Sequence, residues 1–168
     1  IRAIFTKFQG DHKPVNKEPF RHITFKEAML KYGSDKPDLR NPIEICDLTE
    51  FFSGVDFPVF KNKVVRAMVA PCKNERWFFD KSLAFATKEV GMQGLAHITL
   101  LDESKCEFKD DPIVKKLNDE QKKQIIELTG VRQGETVFFV SDMVEEIAAK
   151  NAGIVRNWLG KECELIDN

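Results

Sequence analysis

The spacing of apolar positions changes several times along this chain. Phe25, Ala28, Met29 and Tyr32 fall three and four apart, which predicts a helix with one buried face. Thr24 and Glu27 have capping-box spacing, so the helix starts at Thr24. Ile43, Glu44, Ile45 and Cys46 alternate, as a strand with one covered face does. Thr49 is placed to cap a short helix over 50–53, stopped by Gly54. Residues 55–60 and 64–70 are apolar enough for two strands, with Lys61-Asn62-Lys63 as their turn and Pro71 as the stop.

Helical spacing returns with Phe79, Leu83, Ala86 and Val90, ended by Gly91. A strand over 95–101, a charged loop over 105–111 and a helix over 112–117 opened by Pro112 are expected next. Asp119 caps a further helix that ends near Thr129, before Gly130. In the strand 135–140, Val137, Phe138, Phe139 and Val140 run uninterrupted, which predicts a central strand covered on both faces. Asp142 and Glu145 repeat the capping-box spacing. Val144, Ile147, Ala148, Val155, Trp158 and Leu159 form one face of the last helix, which Gly160 ends. Near the start, Ile1, Ala3, Ile4 and Phe5 fit a helix end. A polar loop holding Asp11, Lys13, Pro14 and Asn16 follows, then weak alternation over 19–23. Irregularly alternating strands and helices joined by short turns predict an α+β fold: two layers, a largely antiparallel sheet with helices on one side.

One stretch fits neither period. Tyr32-Gly33-Ser34-Asp35-Lys36-Pro37-Asp38-Leu39-Arg40 holds two turn formers, two acids and two bases. Gly33 predicts a left-handed helix stop. Pro37 and Pro42 push Lys36 and Asn41 toward extended backbone, so a stop followed by an extended arm is expected. Asp35, Lys36, Asp38 and Arg40 are the candidate functional residues. They make either a hinge pinned by ion pairs or, through Lys36 or Arg40, a phosphate contact to RNA. Lys115, Lys116, Lys122 and Lys123 read as a solvated helix face.

Composition narrows the classes. The 168 residues are 42% hydrophobic, enough for one or two compact domains. No apolar run approaches bilayer length and no secretory signal opens the chain; it begins at Ile1, as a mature protein or a piece of a longer chain does. The net charge of −1 divides into +4 over residues 1–41 and −5 over 42–168, so the larger part is a poor stand-alone RNA binder. The change of sign supports a boundary near 41. Cys46, Cys72, Cys106 and Cys163 have no zinc-ligand spacing and read as free thiols of a reducing cytosol. His12, His22 and His97 are isolated, and His97 reads as structural.

The run Thr24-Phe25-Lys26-Glu27-Ala28-Met29-Leu30-Lys31-Tyr32, continuing through Gly33 to Arg40, closely resembles aspartyl-tRNA synthetases of the bacterial type. In that family the stretch joins the class II catalytic domain to an inserted GAD domain, and Gly94-Leu95-Ala96 before an apolar strand also follows its pattern. The resemblance implies a catalytic-domain flank and linker over 1–41, a GAD-like domain over 42–160, and the start of a return to the catalytic domain over 161–168. It implies a cytoplasmic parent enzyme, a homodimer, that joins aspartate to tRNA using ATP and magnesium. The inserted domain would help place the acceptor end of the tRNA and bind tRNA weakly by itself. Residues 72–77 depart from the family, which has a glycine-rich turn there. Neither the arginines nor the metal acids of the class II motifs occur in the chain, and no phosphate loop occurs. No catalytic, ATP-binding or metal residue and no cofactor is therefore assigned to it. A GAD module also occurs in a subunit of a tRNA-dependent amidotransferase, which is the alternative; residues 32–40 favour the synthetase.

Overall fold

The computed structural model describes residues 2–8, 10, 21–72 and 75–166. The expected loop at 9–18 falls outside them but for Gly10, as do Pro19 and Phe20 of the weak alternation and Lys73 and Asn74 of the departing turn. Residues 21–23 are not in a strand.

Five strands form one sheet in the order β1-β2-β5-β3-β4, every neighbouring pair antiparallel. They are β1 (Ile45–Asp47), β2 (Val64–Ala70), β3 (Ala96–Asp102), β4 (Glu107–Phe108) and β5 (Thr136–Asp142). The helices are α1 (Arg2–Phe8), α2 (Phe25–Tyr32), α3 (Thr49–Ser53), α4 (Arg76–Lys88), α5 (Asp119–Thr129) and α6 (Glu145–Glu162), with a 3₁₀ turn at Val114–Lys116. The α+β class and the antiparallel sheet are as expected, but helices cover both faces of the sheet rather than one, because the apolar run of β5 needs cover on each side.

β5 lies between β2 and β3, and its apolar run is buried from both sides. Alternate side chains of a strand face opposite ways. Val137 and Phe139 join Val65, Ala67, Ile98 and Leu100 beneath Phe52 of α3 and Ile125 of α5. Phe138 and Val140 join Ile45, Met68 and Ala70 beneath Phe78 and Ala86 of α4 and Ala152, Val155 and Leu159 of α6. The two long helices thus share one face, while short α3 and α5 cover the other.

Several local expectations are corrected. Residues 55–60 form successive turns, with Phe57 N–H donating to Val55 O (2.8 Å) and Phe60 N–H to Phe57 O (3.0 Å). Asp56 and Pro58 break the ladder geometry, yet Val55 and Phe60 are buried. The charged loop contains β4, paired to the end of β3 across an irregular register. The helix expected over 112–117 is only the 3₁₀ turn. α5 is capped by Asn118, not Asp119, and Asn118 forms a full capping box with Gln121. The Thr49 hydroxyl accepts from Val65 N–H (3.0 Å) and so ties α3 to β2. In α4 the buried positions are Phe78, Ser82 and Ala86, while Leu83 is exposed. Trp77 is half exposed, meeting Phe78 edge-on.

α6 starts at Glu145 without a capping box; the Asp142 carboxylate accepts from Val144 N–H instead (3.0 Å). Val144 and Ile147 are exposed. The helix runs through Gly160 to Glu162, because Gly160 is pressed against a neighbouring segment rather than turning the chain.

Candidate functional site

The cluster of Asp35, Lys36, Asp38 and Arg40 lies on the segment between α2 and β1. Thr24 caps α2, its hydroxyl accepting from Glu27 N–H (3.1 Å). Gly33 closes the helix in the left-handed region (φ 64°), donating to Met29 O (3.1 Å). Beyond it the backbone bends instead of extending. Three side chains each accept from the backbone N–H two residues ahead: Ser34 from Lys36 (3.1 Å), Asp38 from Arg40 (3.1 Å) and Asn41 from Ile43 (3.1 Å). Such local turns compete with extended geometry, which is why the expected arm is a folded strap.

The structure joins two of the four candidates. Arg40 grips Asp38 in a fork, Nε to Oδ1 at 3.0 Å and NH2 to Oδ2 at 2.8 Å. The Arg40 hydrogen bond holds the Asp38 carboxyl well below the usual range, at about 2, and Arg40 is pushed up in turn. Asp35 and Lys36 are exposed and stand apart from this pair, with no ion pair among the described residues.

The strap lies on α6, and the residue that holds it was not among the candidates. Arg156 is only 1% exposed. Its Nε donates to Ile43 O (2.5 Å), its NH2 to Asn41 O (2.7 Å) and Asp38 O (3.1 Å), and its NH1 to the Asn157 side chain (3.2 Å). The guanidinium also sits 5.0 Å from the centre of the Tyr32 ring. Burial pushes its pKa down from the ordinary value, opposed by Tyr32, Asp38 and Glu44. It stays charged, as arginine does in proteins.

The helix is shaped to receive the strap. A Cβ on Gly153 would lie 2.5 Å from Gly33 O and 2.9 Å from Tyr32 O, so only glycine admits this crossing. A Cβ on Gly160 would run into the Asn41 side chain, whose Nδ2 donates to Arg156 O (3.0 Å). Ala149, Gly153, Arg156 and Gly160 are spaced four, three and four apart and share one helix face. That pattern of small residues around one arginine was the sequence signal for the contact. Tyr32 extends the network outward: its hydroxyl donates to Glu44 (3.3 Å) and accepts from Arg21 (3.1 Å).

Other sequence candidates stay structural. His97 stacks on Phe79, ring centres 4.0 Å apart, and burial pushes its pKa down. Lys115, Lys122 and Lys123 pair with Asp110, Asp119 and Glu127 on the surface. The four thiols are free. Among the described residues no group of acids, histidines and cysteines is placed to hold a metal ion, and no helix is long and apolar enough to cross a membrane.

An antiparallel α+β sheet with a strap latched to its longest helix is thus the frame of this molecule. Residues 57–152 match the family model described as the GAD domain, and the chain belongs to that family. Over all of its length the chain is also 48% identical to the aspartate–tRNA(Asp/Asn) ligase of Wolbachia pipientis subsp. Culex pipiens (strain wPip). It is 44% identical over 98% of its length to the ligase of the same name from Ehrlichia ruminantium (strain Gardel). The corresponding ligase of Anaplasma phagocytophilum (strain HZ) is 42% identical over 99% of the chain. The chain spans 28% of the length of each of these relatives.

Proposed function

We propose that the chain is the GAD-domain region of an aspartate–tRNA ligase. The observation that carries this reading is similarity over all of the chain, including the strap, which lies outside residues 57–152. The strap segment is what separates this reading from the amidotransferase module. The whole protein would activate aspartate with ATP and magnesium and pass it to tRNA, acting as a cytoplasmic homodimer. The names of the relatives extend the proposed substrates to the tRNAs for both aspartate and asparagine.

In this reading the region performs no chemical step and binds neither ATP nor metal. It is an accessory that helps place the acceptor end of the tRNA. Residues 42–160 would be the domain proper, 1–41 the flank and linker, and 161–168 the return. For Asp35, Lys36, Asp38 and Arg40 a pinned connection is favoured over a phosphate contact. The fork leaves the Arg40 guanidinium already neutralised by Asp38.

Pyrophosphate exchange by the full-length protein tests the proposal. Exchange should depend on aspartate, and both tRNAs should be charged. Dependence on a different amino acid would overturn it. The purified 168-residue chain should form no aspartyl-adenylate.

A further inference from the structure

A linker that acts as a hinge keeps its side chains in water and its backbone free to turn. The segment from Tyr32 to Ile43 exposes Asp35, Lys36, Leu39, Arg40 and Pro42, but both of its ends are buried and its backbone is held. Tyr32 is 3% exposed, Asn41 2% and Ile43 5%. Its backbone touches that of α6 at Gly153, and its Asn41 amide packs where Gly160 has no side chain. Between these two contacts Arg156 collects three carbonyls of the strap.

A buried charge is a poor means of gaining stability alone, since an apolar side chain of like volume often does as well. Its distinctive property is direction. A planar guanidinium satisfies several carbonyls only when they hold one arrangement, and an ammonium cannot reproduce that fork. The Tyr32 ring packs beside it, and the Tyr32 hydroxyl carries the network to Glu44 and Arg21. The incoming strap at Asn41 and the outgoing helix at Gly160 therefore lie side by side, locked by one side chain.

We propose that Arg156 is a positioning residue: by holding the carbonyls of Asp38, Asn41 and Ile43 it joins α2, the strap and the sheet into one rigid body. Building on the ligase reading, this body presents the domain to the tRNA in one orientation, and any hinge lies outside residues 24–163. Arg156 touches neither substrate nor the reacting atoms. Its effect passes through the strap.

Two measurements on Arg156→Lys test this. In the 168-residue chain, hydrogen exchange should quicken about tenfold at the Ile43 amide, which donates to Asn41, as the strap loses the guanidinium bonds to its carbonyls and opens more often. The amides of Val137 to Val140 should keep their protection. In the full-length protein, KM for tRNA should rise severalfold while aspartate-dependent pyrophosphate exchange keeps its kcat. Should Arg156→Lys fail to fold, Gly153→Ala serves in its place, because it lifts the strap while leaving the arginine intact. Unchanged exchange at Ile43 overturns the latch. A parallel fall in pyrophosphate exchange and charging reduces Arg156 to a merely structural residue and overturns the positioning role. Absence of aspartate-dependent exchange in the unaltered full-length protein overturns the ligase reading alone, and the hydrogen-exchange result still decides the latch.

Discussion

Gly33 and Gly153 meet backbone against backbone, although 120 positions separate them in the chain. A methyl group on residue 153 would face Gly33 O at 2.5 Å, Gly33 C at 2.8 Å and Tyr32 O at 2.9 Å, and none of these atoms can rotate aside. Overpacking of this kind costs about 1–3 kcal/mol, and with three backbone contacts the upper end applies. The gain in helix propensity from Gly to Ala returns roughly 1 kcal/mol. Gly153→Ala should therefore lose about 2 kcal/mol net. Gly94→Ala is the control, since a Cβ there meets nothing within 4 Å and φ is ordinary. It should be neutral or gain about 0.4–1 kcal/mol. Urea denaturation midpoints compare the two. A midpoint for Gly153→Ala at or above that of the unaltered chain would refute the tight crossing.

The Asp38–Arg40 fork should make the strap sensitive to acid. The folded carboxyl titrates at about 2 against an ordinary value of 3.8, so its contribution is present above pH 4 and lost as pH falls toward 2. The pair is well exposed, which limits it to about 0–1 kcal/mol. Asp38→Asn should be slightly less stable at pH 7, and the difference should shrink by pH 3 and vanish near pH 2. Urea titrations of both chains at these pH values check the sign. A difference that grows on acidification would contradict the assignment.

At the alkaline end Cys163 should dominate. Burial, with the nearby Cys72 and Glu162 charges, pushes its thiol up to about 12 from an ordinary 9.0. Above pH 9 the unfolded thiol ionises while the folded one does not, so stability falls from pH 9 toward 12. Cys163→Ala should flatten that part of the stability profile. Iodoacetamide at pH 8 should label the buried Cys72 only as fast as the chain opens, and the partly exposed Cys163 slowly because its raised pKa leaves little thiolate. Immediate labelling of either thiol in the folded chain would contradict this.

The chain alone should bind tRNA weakly. Residues 42–168 carry −5, so counterion release supplies little affinity there. Dissociation constants of about 10⁻⁴ to 10⁻⁶ M at physiological salt are expected, steeply dependent on salt. A fluorescence titration with aspartate tRNA and an unrelated tRNA measures them. Nanomolar, selective binding would replace the accessory role with that of an independent tRNA-binding module.

Much of the fold was legible because its determinants are local. The run Val137 to Val140 announces a strand covered on both sides, and β5 is the middle strand of five. Thr24 and Gly33 mark both ends of α2, since caps act on backbone groups within one turn. β4 was missed because two residues carry no period. Residues 55–60 were misread because Val55 and Phe60 are buried as a strand's side chains would be, while their backbone turns.

The amino-acid sequence by itself determined four of the five strands of the sheet, the cap and stop of α2, and the polar segment that bears Asp35, Lys36, Asp38 and Arg40. The tertiary structure alone decided which of these polar groups act together. Asp38 and Arg40 pair, while Asp35 and Lys36 stay in water. It also decided that Gly160 is a contact surface within α6 and not its end. Above all it brought Arg156 to the carbonyl of Asn41, 115 positions away. Capping and periodicity act over a few residues, whereas a buried guanidinium finds its carbonyls only after the sheet has set α6 beside the strap.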